Sequence, residues 1–334
     1  MEKRILLYVS VAVFALLLGC SSEPSAPAVD AAGFNGAWDI TVPGGAHVWW
    51  LKVVGADTPN PTGLMVGPPG GGMYPPDSMK VAGDELVYTF KQRKYALPGE
   101  ETPWEKRPLR DATYHVRLDG PNGIKGYVEV DGHPETRKEF AGVRAPVITD
   151  KDDGTWKEGE PVELFNGKDL TGWKPIWPER GFKWSVKDGV LMNDPPTSDI
   201  VSDQKFWNFK LHVEYRLYKN SNSGIALRDR YEVQILDDYG KEPHKQGPGA
   251  IYYRIVPTSN PSKPPGEWQT LDVKLIGRYV TVVLNGVKII DNKIIEGMTA
   301  MAHNADEAEP GPFSIQGDHT RVDIRKFTVT PLTQ

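Results

Sequence analysis

From Phe34 onward the chain is a succession of short runs in which apolar and polar residues alternate, each closed by glycine, proline or asparagine. Alternation with a period of two sends successive side chains to opposite faces of a strand, and the closing residues are those that tight turns require. With 34 glycines and 29 prolines among 334 residues, the apolar runs are too short for a helical protein, and an all-β chain is expected. The length is sufficient for two domains with separate cores. A net charge of −5 leaves no basic footprint, so nucleic acid is not expected as a partner.

The first residues follow a different rule. Lys3 and Arg4 precede an apolar run from Ile5 to Leu18 that ends in Leu17-Leu18-Gly19-Cys20. A run of that length falls short of the roughly 20 residues of a spanning helix and suits the core of a signal peptide. It resembles a bacterial lipoprotein signal over residues 1–20, which implies that Cys20 becomes the lipidated first residue of the mature chain, and residues 21–32 (SSEPSAPAVDAA) then read as a tether. Cys20 is the single cysteine, so no intramolecular disulfide can form. The same resemblance, with Ser21 rather than an aspartate after that cysteine, implies anchoring in the outer membrane facing the periplasm.

Residues 33–147 contain candidate strands AWDITV, HVWWLKVV, TGLMVG, ELVYTFK, ATYHVRL and IKGYVEV, ending near EFAGVRAP. That spacing argues for a small antiparallel barrel or sandwich. Trp49 and Trp50 are adjacent, so both cannot face the same core, and one is expected at a rim or under a loop. The GPPGGG loop lacks the following Lys-Ser/Thr of a phosphate loop. A charged stretch, residues 148–161, reads as a linker to a second domain at 162–332.

The most informative stretch of that second domain runs from Asn220 to Asp238. It reads as two short strands joined at a corner. In SGIALR, Ile225 and Leu227 alternate with Gly224, Ala226 and Arg228, which puts Arg228 on a face cleared by small neighbours. In YEVQILDD, Tyr231, Val233 and Ile235 face one way and Glu232 and Gln234 the other, with Asp237 and Asp238 just beyond Leu236. The preceding run FKLHVEYRLY sends Phe209, Leu211, Val213, Tyr215 and Leu217 inward and His212, Glu214, Arg216 and Tyr218 outward. Glu214, Arg216, Arg228, Glu232 and Gln234 are therefore expected on one face away from the core. The wet side of an ordinary antiparallel sheet would show the same alternation. Further on, Gly277-Arg278 and Asn285-Gly286 are turn pairs of a meander, the second a strong hairpin signal.

The ordered segments LFNGKDLTGWK, WSVKDGVL, NSGIALR, YEVQILD, GAIYYRIVP, GEWQTLDVKLIGRYVTVVLNGV and GPFSIQGDHTRVDIRKFTVTPL together resemble the 3-keto-disaccharide hydrolase domain. The resemblance implies a concanavalin-like jelly roll with a saccharide site on its concave sheet, preceded by a lipocalin-like barrel. It also implies a substrate whose C3 hydroxyl has been oxidised to a ketone, cleaved by C2 deprotonation, elimination of the aglycone and rehydration. Glu232 is then the first candidate base and His319, in IQGDHT, the second. Arg228 is the expected oxyanion or hydroxyl clamp, with Gln234, Gln316, Asp237, Glu214 and Arg216 as further sugar contacts.

Some alternatives stay open at this level. Glu232, Gln234 and Asp237 have spacings like those of laminarinase-type glycosidases, yet a flat strand sends positions five apart to opposite faces, and Gln234 replaces the middle acid. Asp237 and His319 are the residues that would hold a divalent cation, although no ligand spacing is diagnostic and no cofactor is certain. Asn222 is expected to shape its turn, and His303 could belong to a loop over the site. A surface lipoprotein that binds glycans without cleaving them, or a purely structural one, would carry the same pattern.

Overall fold

The computed structural model describes residues 30–67 and 71–334, so the signal segment and Cys20 lie outside the described residues. The described part is built from strands, with three short 3-10 turns at Ala31–Phe34, Trp104–Lys106 and Pro178–Arg180. Among the described residues no helix is long and apolar enough to cross a membrane.

Nine antiparallel strands from Gly36–Thr41 to His133–Arg144 form one sheet. The first strand pairs with both Trp49–Val54 and the last strand, which leaves Met73–Tyr74 and Ser78–Ala82 at the two ends of the order. These ends meet in space. The Tyr88 hydroxyl reaches Met65 Sδ at 3.6 Å, and a Cβ on Gly63 would lie 2.7 Å from Met79 Cε. Contacts between strands so far apart in the hydrogen-bonded order require the sheet to curl into a small barrel. Trp38, Leu51, Tyr114 and Phe140 fill it, and Tyr88 stacks on Tyr114 with ring centroids 4.6 Å apart.

The second unit is a sandwich. One sheet has nine strands and includes Phe209–Leu217, Trp268–Ile276 and the long Val322–Thr333. The other has five, ordered Trp173–Pro175, Ile200–Ser202, Ser314–Ile315, Asn222–Leu227, Tyr231–Leu236. Val213, Tyr215 and Leu271 from one sheet meet Ile225, Val233 and Ile315 from the other in a single apolar layer. The inward set expected for Phe209–Leu217 is buried at every alternate position. The meander turns form as their residues require: Asn285 and Gly286 both have positive φ, and Gly277 has φ of 54°. The fold is all-β, a small antiparallel barrel followed by a jelly-roll sandwich.

The adjacent tryptophans explain how the two units are joined. Trp49 points into the barrel against Phe140, at 5.6 Å, whereas Trp50 points outward and is nevertheless fully buried. The sandwich covers it: Arg254 stacks 4.0 Å over its ring, Met298 and Ala302 pack beside it, and a Cβ on Gly297 would stand 2.3 Å from Trp50 Nε1. Lys52 pairs with Glu296, and the Tyr74 and Tyr253 hydroxyls lie 3.0 Å apart. Asp39 on the barrel side is buried next to Glu307, which accepts from Tyr231 and Arg278. Burial, reinforced by the Glu307 charge, pushes Asp39 up to about 8, well above the ordinary carboxylate range.

Truncating Trp50 should therefore act on the junction rather than on either core. We expect Trp50→Ala to destabilise the protein by about 3–5 kcal/mol and to split thermal unfolding into two transitions. Calorimetry checks this, and one undivided transition at the wild-type temperature would contradict it.

Candidate active site

The strands Asn222–Leu227 and Tyr231–Leu236 pair in register, with Gly224 opposite Gln234 and Ala226 opposite Glu232. Tyr231, Val233 and Ile235 enter the core, while Glu232 and Gln234 rise from the other face, as the alternation requires. Small residues on the facing strand let the glutamate lie flat across it. A Cβ on Gly224 would come within 2.6 Å of Glu232 Oε1, so any larger residue there would displace the carboxyl. The free edge of Tyr231–Leu236 is covered: Gln234 N donates to the Ala250 carbonyl at 2.9 Å, and Tyr252 N to the Glu232 carbonyl at 3.0 Å.

A cavity of about 240 Å³ opens above this hairpin. Glu232, Gln234 and Asn222 form its floor, Gln316, Asp318 and His319 one wall, and Tyr252 and Met301 further sides. The Gln234 amide sits 3.1 Å from Asn222 and 3.0 Å from Glu232 Oε1. With its nitrogen turned to the carboxyl it donates there and to the Ser223 carbonyl. Gln316 Oε1 is buried with no partner among the described residues, which leaves it available to a donor entering the cavity. This concentration of amides beside a carboxyl and an imidazole suits a polyhydroxylated ligand.

The electrostatics separate the two titratable groups. Glu232 is only 4 % exposed, and desolvation pushes it up to about 8, with Asp199 and Asp318 adding to the rise and His319 opposing it. His319 Nδ1 lies 2.6 Å from Asp318 Oδ1, and that contact raises the imidazole above its ordinary value while holding Asp318 low. An aspartate on Nδ1 fixes the ring tautomer and leaves Nε2 for other work.

The barrel also reaches this cavity. His47, in the loop between its first two strands, lines it alongside Gly71. Its ring lies 4.9 Å from His303 and 5.3 Å from Trp177, and burial, with the His303 and Arg180 charges, lowers it to about 4. His303 is held from behind by Asp229, 2.7 Å from Nδ1, and Asp229 also accepts from Ser314. His303 thus backs His47 rather than lining the cavity.

Four expected contacts are placed elsewhere. Arg228 and Asp229 have positive φ, which ends the alternation at Leu227 and turns the guanidinium off the sheet face. It is fully buried, donates to the Trp207 carbonyl at 2.6 Å and to Asn208, and lies 3.9 Å from the Trp207 ring. Glu214 and Arg216 do project outward, but from the opposite sheet, where they pair with Arg325 and Asp323. Outward in a sandwich means two different surfaces, and local alternation does not say which. Asp237 accepts from the Asn220 amide at 2.7 Å and fixes that turn, so it does not meet His319. Among the described residues no group of three or more His, Cys, Asp or Glu is arranged to hold a metal. Asn222, expected only to shape a turn, lines the cavity instead.

A jelly roll whose smaller sheet carries a buried acid among side-chain amides, with a histidine–aspartate pair in the adjoining loop, offers donors and acceptors to a polar ligand. Residues 160–330 match the model of the 3-keto-alpha-glucoside-1,2-lyase-like domain, and the chain belongs to that family. A curated 3-keto-disaccharide hydrolase of Bacteroides thetaiotaomicron is 26% identical over 172 residues, covering 40% of this chain and 57% of that protein. The chain thus spans little more than half of that relative's length. Among solved structures, a candidate glycosyl hydrolase of Parabacteroides distasonis is 28% identical with a TM-score of 0.45, covering 55% of this chain and 90% of its own. The β-porphyranase of Bacteroides plebeius is 9% identical with a TM-score of 0.35, over 56% of this chain and 95% of its own.

Two outcomes follow from the buried glutamate. Gly224→Ala should displace the Glu232 carboxyl from its dry position and bring its titration down toward the ordinary glutamate value, which carboxyl NMR reads; an unshifted titration would contradict the packing described. For stability, a folded-state value of about 8 against the ordinary 4.5 means the folded protein holds this proton more tightly. That contribution is complete below 4.5 and is lost as pH rises to about 8. Glu232→Gln should remove it and be more stable than wild type at pH 8 by on the order of 2 kcal/mol. Denaturant titrations at pH 5 and pH 8 check this; an unchanged pH slope in the variant would contradict it.

Proposed function

We propose that the protein cleaves glycosides of 3-keto sugars by elimination followed by rehydration. The observation that carries this reading is a carboxyl held neutral by burial in the same small cavity as an aspartate-oriented histidine. A ketone at C3 makes the C2 hydrogen acidic, and removing it needs a base, donors for the enolate oxygen and an acid for the leaving oxygen. Because Glu232 is protonated near neutral pH, we assign it the acid role and His319 the base role, the reverse of the order that position alone suggests.

In this scheme His319 Nε2 takes the C2 proton, and the electrons of that bond form the C2=C3 enolate with its charge on the C3 oxygen. The side-chain amides of Gln316 and Asn222 are the available donors for that oxygen and for neighbouring hydroxyls, while Gln234 holds the Glu232 carboxyl in place. Collapse of the enolate restores the ketone, forms C1=C2 and breaks the C1–O bond as the leaving oxygen accepts the Glu232 proton. The Glu232 carboxylate then deprotonates a water that adds at C1, and His319, its proton having exchanged with solvent, protonates C2. The sum is hydrolysis, and release before water adds would leave the unsaturated sugar.

The test uses the protein without residues 1–20, a 3-keto-glucoside and its unoxidised parent. Alcohol should be released from the keto sugar alone, and Glu232→Gln or His319→Gln should reduce release by about 10²–10⁴-fold. The pH profile should be a narrow bell, with its alkaline limb near the Glu232 value of about 8 and its acid limb above the ordinary imidazole range. Equal release from both sugars, or an optimum well above 9, would contradict the scheme. Binding of both sugars without any release would instead favour a glycan-binding protein.

We also propose that the chain is held in the bacterial cell envelope by lipid on Cys20, at the outer membrane facing the periplasm. The charged, apolar and small-residue sequence of residues 3–20 supports this. Cys20→Ala should move the protein from the membrane to the soluble fraction, and unchanged membrane partitioning would contradict it.

A further inference from the structure

A second cavity, of about 600 Å³, adjoins the first at the junction of barrel and sandwich. The two share His47, Gly71 and Ala300, so a molecule seated over Glu232 can extend past His47 into the larger space. Its walls are chemically unlike the sugar cavity. Val42, Pro43, Ala46, Val48 and Trp49 supply the inner, apolar part of its barrel side, and Arg137, Lys138 and Glu139 the charged outer part. Trp49 is 5 % exposed and packed against Tyr114 and Phe140, so it offers an apolar edge and no open face for stacking a sugar ring. At the rim, Arg137 Nε donates to Glu139 Oε1 at 2.9 Å and its guanidinium lies 3.4 Å from the Tyr127 ring, while both side chains and Lys138 stay open to water at the outer edge of the cavity.

We propose that this cavity is the leaving-group site, and that it selects an apolar, bulky aglycone over a second sugar. The inference rests on the reading of the first cavity as the keto-sugar site. A second sugar ring seated in the inner part would lose water from several hydroxyls and find no amide or hydroxyl side chain among Val42, Pro43, Ala46, Val48 and Trp49, whereas each buried methylene of an apolar aglycone gains. The sugar cavity, at about 240 Å³, is smaller than an ordinary ligand pocket and suits a single ring. The barrel, through the loop that carries His47, is then the specificity element of the enzyme.

Three 3-keto-glucosides with alcohols of similar acidity test this: methyl, cyclohexylmethyl, and a disaccharide. The wild-type chain should show kcat/KM at least about tenfold higher for the cyclohexylmethyl compound than for either other. Pro43→Trp, at an exposed position of the cavity wall, should cost the cyclohexylmethyl compound about tenfold more in kcat/KM than the methyl compound; Ala46→Phe serves as the second obstructing variant. Equal kcat/KM for all three, or an equal loss for all in both variants, would overturn the proposal. Calorimetric binding of the unoxidised cyclohexylmethyl glucoside keeps the two readings separable. Binding weakened about tenfold in Pro43→Trp, with no cleavage of any keto sugar, would sustain this site and reject the chemistry; binding of methyl and cyclohexylmethyl glucosides with the same affinity would reject this site.

Discussion

Everything in the proposed chemistry depends on one carboxyl having been taken out of water. An isolated glutamate at the surface is a weak base and is charged at any physiological pH. Glu232 is neither, because the sheet beneath it, the strand-edge loop at Ala250–Tyr252 and the wall at Gln316–His319 exclude solvent. Desolvation favours the neutral form and turns an ordinary carboxylate into an acid that operates near neutral pH. The architecture contributes more than burial: Gly224 and Ala226 on the facing strand are what leave room for it. The cost is borne in stability, as is usual where a fold keeps an ionisable group in a place where its charge is unwelcome.

The second constraint is the junction between barrel and sandwich. Trp50 is an outward residue of a barrel strand, and only the sandwich gives it a dry environment. That contact sets the two units so that the loop before it delivers His47 to the cavity mouth, and the same loop closes the larger space beside it. Stability at the junction and composition of the site are thus linked through neighbouring residues in one short segment, His47 to Trp50.

The part of this that was legible in the sequence is the part governed by local periodicity. The alternation in Phe209–Leu217 and Tyr231–Leu236 gave the buried set correctly, and the turn pairs at Gly277 and Asn285 formed as their φ preferences require. Glu232, Gln234, Gln316 and His319 are gathered in one cavity. Arg228 was misplaced because a two-residue run of positive φ ends the strand one position earlier than its alternation suggests. Glu214 and Arg216 were misplaced because the period of two reports a face of one strand and not which sheet that strand joins. His47 and Asn222 carried no local signal: one enters from the other domain, the other resembles an ordinary turn asparagine. The ranking of Glu232 as base also needed burial, which no spacing reports.

The most direct measurement follows the hydrogen at C2. A 3-keto-glucoside carrying deuterium at that carbon should release its alcohol several-fold more slowly than the unlabelled compound, and in ordinary water the sugar product should have lost label. Release at the same rate with deuterium fully retained at C2 would mean that the C1–O bond breaks without deprotonation, and would contradict an elimination performed by His319 and Glu232.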